Sequence, residues 1–312
     1  MRKIGPITIE QRGFYEERLA KHTTVVSEHT FTNHFVWRRT HPFFGIDVKD
    51  TIITYEERDE GPVIFCPPIG PLTLAEAARE LAEALGKRVV GFERVGEREM
   101  GPHLNDGWEV ATDRDFSDYV YRREDLAELA GRNYHKKRNL VSQCLAEHDC
   151  TYEELGGRNA AEGMEMMQRW CDYRKCKGDR GLCSEFQATK ELFENYGKLG
   201  VVGAAIRIDG RIEAFTVGER LNENTVVIHF EKAMPQYKGL YQVINQWFCK
   251  NSLADFEFVN REQDLGIPGL RKAKESYYPD HMITKYIIYP KGHQECLMPR
   301  HRPDQRCLDE EG

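Results

Sequence analysis

The chain has 312 residues, of which 44 are lysine or arginine and 51 are aspartate or glutamate, so its formal net charge is −7. This length is sufficient for two domains of ordinary size, and the negative charge excludes strong non-specific DNA binding. The N-terminus has no signal-peptide core and no apolar run approaches the ~18 residues of a membrane span, so we expect a cytoplasmic protein with no membrane span.

The first half of the chain is predicted to form an α/β unit. Apolar residues that alternate with polar ones over residues 25–37 predict strands, and residues 52–65 have the pattern of a β-hairpin. Thr73 and Glu76 have the spacing of a capping box. A helix is therefore predicted to begin there and to end at Gly86.

A basic helix is predicted from Asn133 to His148. Lys137 lies at helical spacing from the apolar residues of this segment, so its side chain must extend to water or bind an anion. Arg132, Lys136 and Arg138 widen the positive patch, which could contact the acceptor end of a tRNA. The alternative interpretation is a solvated run of surface charges.

The second half is predicted to contain a helix at residues 158–173 and another that begins with a capping box at Ser184–Gln187. Three strands then follow one another at short turns. They cover residues 201–209, 211–221 and 225–234, and this order predicts an antiparallel meander.

A strand at residues 256–259 runs directly into a polar segment, residues 260–264. Open α/β sheets bind ligands at the carboxyl ends of their strands, so this layout predicts a site. Arg271 and Lys274 make the helix that follows positive near its start. The alternative is a solvated strand end with a surface pair between Arg271 and Glu275. A last strand, MITKYIIY, ends the unit.

This order of meander, helix, strand, helix and strand resembles the acyl-CoA N-acyltransferase (GNAT) superfamily. The segment from Gln236 to Tyr241, QYKGLY, resembles the superfamily's Q/R-x-x-G-x-G/A phosphate loop, in which glycine admits the backbone and the helix N-terminus binds pyrophosphate. Gln236, Lys238 and Gly239 are therefore the cofactor-binding candidates. Tyr241 replaces the final small residue and would crowd the pyrophosphate of coenzyme A.

Four longer segments resemble the phosphatidylglycerol lysyltransferase C-terminal domain family: DFSDYVYRREDLAELAGRNYHKKRN, AFTVGE, VIHFEKA and FVNREQDLGIPGLRKAKESYYP. The resemblance implies an α/β (α+β) fold with two tandem GNAT-like units, each a mixed, mostly antiparallel sheet flanked by helices. We expect a supporting unit at residues 1–130, a basic linking helix at 131–150, a catalytic unit at 151–290 and a flexible tail at 291–312.

Membrane-bound members of that family move an aminoacyl group from charged tRNA to a lipid. The resemblance therefore implies a soluble acyltransferase that uses aminoacyl-tRNA or acyl-CoA as donor and an amine or hydroxyl of a small molecule or peptide as acceptor, with no covalent enzyme intermediate and no tightly bound cofactor. Two alternatives are an acyl-CoA-dependent N-acyltransferase and a non-enzymatic module that binds an amino acid or peptide. No DNA partner is expected.

Direct acyl transfer needs a base for the nucleophile's proton and donors for the developing oxyanion. The catalytic candidates are Glu231, Asp264 and Tyr277, and the sequence leaves open which carboxylate is the base. Tyr277 also lies on an apolar helix face, where core packing is the alternative role. The substrate-binding candidates are charged or amide side chains: Lys137, Arg138, Lys232, Asn260, Arg261, Glu262, Arg271 and Lys274.

Metal binding is not expected from the cysteine pattern. Cys171, Cys176 and Cys183 lie close together in the sequence, but the gaps between them match no standard zinc signature. No histidine lies nearby to complete a set of four ligands.

Overall fold

The computed structural model describes residues 2–100, 107–112, 114–176 and 178–292. The tail predicted at residues 291–312 lies outside this description from residue 293 onward. The described chain divides into two compact units. The first unit contains residues 2–119, 262–274 and 281–292, and the second contains residues 120–261 and 275–280.

The elements are numbered in chain order. The strands are β1 (Arg2–Pro6), β2 (Phe43–Val48), β3 (Thr51–Arg58), β4 (Gly61–Phe65), β5 (Gly91–Gly96), β6 (Trp108–Thr112), β7 (Asp118–Arg122), β8 (Thr151–Glu154), β9 (Val202–Ile208), β10 (Arg211–Arg220), β11 (Thr225–Ala233), β12 (Phe258–Asn260), β13 (His281–Ile283) and β14 (Lys285–Pro290). The helices are α1 (Arg12–Leu19), α2 (Phe31–Trp37), α3 (Leu74–Leu85), α4 (Glu97–Met100), α5 (Arg123–Glu128), α6 (His135–Glu147), α7 (Ala160–Arg174), α8 (Arg180–Glu194), α9 (Tyr196–Leu199), α10 (Leu240–Asn251) and α11 (Pro268–Glu275).

Each unit is built on a mixed sheet flanked by helices, which confirms the predicted fold class. In the first unit the strands pair in the order β1-β2-β3-β4-β5-β14-β6, and in the second unit β8, β9, β10, β11, β12 and β7 pair in that order. Within each of these orders one pair is parallel, β4 with β5 and β11 with β12, and the other pairs are antiparallel. Both units therefore repeat one topology: an antiparallel meander, a helix and a parallel strand.

The two units interleave along the chain. β14 joins the first sheet between β5 and β6, while β7 pairs with β12 in the second sheet. From the sequence we expected a linking helix at residues 131–150 and a single unit over residues 151–290. The helix found there, α6, lies within the second unit. Chain order does not show which sheet a strand joins, because pairing depends on which sheet edge is available to it.

The predicted hairpin and the predicted capped helix of the first unit are both confirmed. β3 and β4 pair antiparallel around a short turn. At the start of α3, Thr73 Oγ1 accepts from the Glu76 backbone N–H at 3.3 Å and the Glu76 carboxylate accepts from the Thr73 N–H at 2.9 Å. The helix ends at Gly86, whose φ of 64° is left-handed. Its apolar face packs onto the first sheet.

Residues 31–37 form a helix, so the strand predicted there is wrong. Thr30 is its N-cap, and the Thr30 hydroxyl accepts from the Asn33 backbone N–H at 3.1 Å. Every residue from Phe31 to Val36 is buried. An element that is buried on all sides gives no amphipathic period, and the alternation of apolar and polar residues was therefore misleading here.

The helix predicted to begin at Ser184 begins earlier. The Asp179 carboxylate caps α8 by accepting from the Leu182 backbone N–H at 3.0 Å, which places Ser184 inside the helix. α8 also ends at Glu194, and the short helix α9 follows before the chain turns at Gly200. The meander that comes next, β9 to β11, is confirmed.

A buried ion cluster anchors β14 in the first unit. The Lys285 ammonium, which is 1% exposed, donates to Asp118 at 2.6 Å, to Glu28 at 2.5 Å and to the Ser27 hydroxyl at 3.0 Å. Arg94 adds a second cation, 3.2 Å from Glu28. Burial opposes the charge of Lys285, but Asp118 and Glu28 outweigh it and raise the lysine pKa. Two cations thus balance two carboxylates away from water.

Replacing Lys285 with alanine is expected to destabilise the protein by about 3–5 kcal/mol, because it leaves two buried carboxylates without their shared cation. The control is Lys291→Ala, an exposed lysine just beyond β14, which should change stability by less than about 0.5 kcal/mol. Urea unfolding of the two variants and the parent measures both values. Equal midpoints for both variants would contradict the anchoring role of Lys285.

Candidate active site

The second sheet opens where β11 and β12 part. The last parallel pair joins Val227 with Asn260, yet β11 continues to Ala233. A bulge at His229 shifts the register between β10 and β11 at this point, because Val217 pairs with Phe230 and Gly218 with Ile228. Bulges increase the local twist of a strand, and this one lies between Val227, the last residue paired with β12, and Glu231.

The corresponding strands of the first unit stay paired. β4 pairs with β5 through Phe65, and the next residue, Cys66, still donates its backbone N–H to the Glu93 carbonyl at 3.0 Å. The topology is the same in both units, but β11 extends past its parallel partner and β4 does not. A gap at the carboxyl ends of parallel strands is the usual ligand position in α/β sheets.

An ion pair spans this opening. Arg261, the first residue after β12, donates from Nη2 to Glu231 Oε1 at 2.8 Å, and Asn245 of α10 donates to the other carboxylate oxygen at 3.2 Å. The side chains of Arg261 and Glu231 are only 15% and 11% exposed. Burial opposes the charge of Arg261, but Glu231 outweighs it and raises the arginine pKa.

Tyr277 lies beside this pair and close to two cations. Its ring centroid is 5.0 Å from the Arg261 guanidinium carbon and 4.0 Å from Lys137 Nζ. Burial raises the pKa of the Tyr277 phenol, and a side-chain hydrogen bond with Gln242 partly opposes that shift. Its backbone carbonyl accepts from the Tyr134 hydroxyl at 2.8 Å. The tyrosine is therefore buried and neutral, and it contacts both charged side chains.

Lys137 extends from the apolar face of α6, as the spacing predicted. Its ammonium donates to the Ser276 hydroxyl at 2.6 Å. Burial, with a smaller contribution from the positive charge of Arg261, lowers the pKa of Lys137 to about 8. The structure thus brings together four of the predicted residues, Glu231, Arg261, Tyr277 and Lys137.

Two neighbouring candidates have other roles in the second unit. Lys232 follows Glu231 in β11 and therefore faces the opposite side of the sheet, where its ammonium pairs with Glu185 at 2.7 Å and lies over the Trp170 ring. Arg138 donates to the backbone carbonyls of Leu129 and Gly131 at the end of α5. Neither side chain is placed with Glu231, so the substrate-binding role expected for each has no support in this geometry.

Asn260 ends β12 and is fully buried in the sheet, where it is paired with Val227 on one side and Val120 on the other. It directly precedes Arg261 in the chain, so its place in the sheet fixes the position of the Arg261 backbone.

Asp264 is the centre of a separate ion cluster in the first unit. It accepts from Arg271 at 2.9 Å, from Tyr119 at 2.5 Å and from Arg114 at 3.2 Å. Burial alone would raise the pKa of Asp264, but the hydrogen bonds from Arg271, Tyr119 and the Gly266 backbone hold it well below its usual range. A carboxylate held in this way is a poor proton acceptor.

The remaining candidates lie in the turn before α11, which contains Glu262, and in α11 itself, which contains Arg271 and Lys274. Glu262 has a φ of 55°, and its carbonyl accepts from the Tyr119 backbone N–H at 3.2 Å. Lys274 donates to the Gln263 carbonyl at 2.6 Å. Arg271 also pairs with Asp115 at 2.6 Å, which replaces the surface pair with Glu275 considered above. These contacts hold the turn before α11 and the start of that helix.

The predicted cofactor loop packs against α6. Gly239 has a φ of 91°, and a Cβ atom at this position would overlap the Leu140 backbone carbonyl and meet Cys144 Cβ at 3.1 Å. The glycine is thus required by a neighbouring helix. Gln236 and Lys238 are exposed, while Tyr241 is half-buried in the first turn of α10.

Sequence reasoning missed Asn245, Ser276 and Cys249. Asn245 offered one signal, since it is an amide among the apolar residues of α10. Cys249 is buried beside Glu231 and Arg261, and burial raises its pKa to about 12. The sequence gives no signal for Ser276, because its contact with Lys137 joins residues that are far apart in the chain.

Among the described residues, no group of three or more histidine, cysteine, aspartate or glutamate side chains could hold a metal ion. In the same part of the chain, no helix combines the length and the apolar character that crossing a membrane requires.

A family model described as phosphatidylglycerol lysyltransferase, C-terminal, matches residues 20–289. A conserved protein of unknown function from Bacteroides thetaiotaomicron has a similar structure, with a TM-score of 0.84 and 27% identity over 92% of this chain and 98% of that chain. L-PGS from Bacillus licheniformis is similar in fold alone, with a TM-score of 0.65 and 15% identity over 93% and 95% of the two chains.

An uncharacterized protein from Mycoplasmoides gallisepticum is 24% identical over 179 residues. The match covers 55% of this chain and 56% of that protein, so the chain spans about half the length of this curated relative.

Replacing Gly239 with alanine is expected to destabilise the protein by about 1–3 kcal/mol more than Gly210→Ala does, because only the first substitution overlaps another backbone. Both glycines have a positive φ, 91° and 78°, so both variants share the conformational strain, but Gly210 faces open space. Urea unfolding measures the difference. Equal losses would show that Gly239 is required only for its backbone conformation.

Proposed function

Because the chain belongs to the phosphatidylglycerol lysyltransferase C-terminal family, we propose that it is an acyltransferase that moves an aminoacyl group from a donor ester to an amine or hydroxyl acceptor. Family membership supports the acyltransferase type of activity. The aminoacyl group and the kind of acceptor are our own extension of it.

The observation that carries this proposal is the Glu231–Arg261 pair at the point where β11 and β12 part. It places a carboxylate, a guanidinium and the Tyr277 ring at the carboxyl ends of two parallel strands, which is where such sheets bind ligands. A cationic donor such as Arg261 stabilises the negative charge that develops on the carbonyl oxygen during acyl transfer. The Lys137 amino group lies next to the same ring, 4.0 Å from its centroid.

We propose direct transfer from donor to acceptor, with no covalent enzyme intermediate. The thiol nearest the pair, Cys249, is buried, and its pKa of about 12 keeps it protonated. A cysteine becomes a nucleophile as a thiolate, so this thiol is suited to packing and not to catalysis.

We propose aminoacyl-tRNA as the donor. The packing of α6 against Gly239 and the position of Tyr241 both disfavour a coenzyme A pyrophosphate at the start of α10. Arg132, just before α6, and Lys136, in its first turn, are exposed. Both can contact the phosphates of a tRNA acceptor end. The acceptor is an amine or hydroxyl of a small molecule or peptide.

Glu231→Gln is expected to lower kcat/KM for transfer about 100-fold, because it removes the charge that positions Arg261. Radiolabelled aminoacyl-tRNA with a panel of dipeptides and polyols provides the assay, and thermal unfolding verifies that the variant is folded. Glu223→Gln, in the exposed turn before β11, should leave the rate unchanged. Arg261→Lys keeps the charge but not the planar fork, and should lose activity as well.

Aminoacyl-tRNA at about a hundred times its dissociation constant should stabilise the protein by about 2.7 kcal/mol, whereas an acyl-CoA should not stabilise it. A thermal-shift series with aminoacyl-tRNA, uncharged tRNA, acetyl-CoA and free amino acids measures this. Stabilisation by acetyl-CoA would instead favour an acyl-CoA-dependent N-acyltransferase. Binding of a free amino acid without turnover would favour a binding module.

A further inference from the structure

Lys137 is a partly buried lysine without a carboxylate in range. Its contacts are the Ser276 hydroxyl at 2.6 Å and the face of the Tyr277 ring at 4.0 Å. Among the described residues, the one charged group that shifts its pKa is Arg261, and no carboxylate contributes. Lys232, Lys274 and Lys285, by contrast, each have a carboxylate or a carbonyl oxygen as partner.

The charges around Lys137 disfavour its ammonium form. Arg261 lies against the same tyrosine ring, and the Glu231 carboxylate is already paired with that arginine. A buried cation beside a second cation gives up its proton more readily than an exposed lysine does. These two effects, burial first, set the Lys137 pKa at about 8.

Burial moves the pKa values of three neighbouring described groups away from that of Lys137. Burial raises the pKa of Tyr134 and that of Cys144 to about 12, and it raises that of Tyr277. On α6 itself, Arg138 donates to backbone carbonyls and His135 contacts Asn139. Cys249 of α10 has a pKa of about 12, so it is a neutral thiol at pH 8.

We propose that neutral Lys137 is the proton acceptor of the transfer reaction and that the Ser276 hydroxyl relays the proton to it. This inference rests on the proposed function, and it assigns the base that the sequence left open between two carboxylates. Asp264 is excluded by its hydrogen bonds from Arg271 and Tyr119, and Glu231 is already engaged by Arg261 and Asn245. A general base works best when its pKa is near the working pH.

Each proton that moves in this step has a donor and an acceptor. The acceptor nitrogen or oxygen forms a bond to the acyl carbon while its proton moves to Ser276 Oγ and the serine proton moves to Lys137 Nζ. The ester bond between the acyl carbon and the donor oxygen then breaks. The departing oxygen takes the proton from the Lys137 ammonium, which returns the lysine to its neutral form. Ser276 thus acts as a catalytic proton relay and forms no bond to the acyl group.

The pH dependence separates this role from simple cation binding. If Lys137 must be neutral, the rate rises as the pH increases through about 8. If its positive charge were needed to bind a phosphate or an oxyanion, the rate would fall over the same interval. The two roles thus predict opposite slopes.

The experiment measures transfer from radiolabelled aminoacyl-tRNA to a dipeptide or glycerol between pH 6.5 and 9.5, with the enzyme-free rate subtracted; these limits bracket about one and a half units on either side of the relevant pKa. Lys137→Arg keeps the charge but cannot deprotonate, so it should lose about 100-fold or more in kcat together with the rising limb. Lys137→Met should lose as much. Lys190→Met, at an exposed lysine of α8, should keep both rate and slope.

Substitutions of Ser276 supply a second test, because they change no charged side chain. Ser276→Ala removes a hydrogen bond that favours the ammonium form, so the rising limb should move to lower pH while kcat falls about tenfold. Ser276→Thr retains the hydroxyl and should restore the limb. A purely structural role for Ser276 would leave the position of the limb unchanged.

The outcomes distinguish the two proposals. A falling limb near pH 8, or a Lys137→Arg variant within threefold of wild type, would overturn the role of Lys137 as base while leaving acyl transfer intact. If wild-type protein transfers the acyl group to no acceptor from either aminoacyl-tRNA or acetyl-CoA, the proposed function fails, and the inference fails with it.

Discussion

The candidate site depends on the end of the parallel pairing between β11 and β12. Backbone hydrogen bonds hold these strands together only as far as Val227 and Asn260, and beyond that point a side-chain ion pair, Arg261 with Glu231, replaces them. The ion pair consists of charged side-chain groups, whereas ladder hydrogen bonds join neutral backbone groups that are already satisfied. The same geometry that interrupts the sheet therefore supplies the polar groups that a ligand could use.

The charge balance of the second unit follows from this replacement of backbone hydrogen bonds by the Arg261–Glu231 ion pair. Glu231 is neutralised by Arg261, so the positive charge of Lys137 is not balanced by a partner of its own. Burial then acts on Lys137 without opposition and lowers its pKa to about 8. In the first unit, Lys285 is buried more deeply, yet Asp118 and Glu28 raise its pKa. The two lysines show that the partner, and not burial alone, decides the direction of the shift.

Glu231 and Asp264 are both acidic residues at or just after strands, yet they act differently. Asp264 accepts hydrogen bonds from two arginines and a tyrosine and holds a turn in place. Glu231 has one arginine and one amide as partners at the opening of a sheet. The number and type of donors around each carboxylate, which come from distant parts of the chain, determine how tightly it is held.

The sequence alone determined the class of the fold, the meander of the second unit, the capped helix α3 and the inward position of Lys137, because each follows from local periodicity or capping. The alternating pattern of residues 25–37 wrongly predicted a strand where α2 forms, because α2 is buried on all sides. Only the tertiary structure decided that β14 joins the first sheet, that Lys232 faces away from Glu231, that α6 covers Gly239 and that Ser276 meets Lys137. These outcomes depend on contacts between residues far apart in the chain, which local patterns do not record.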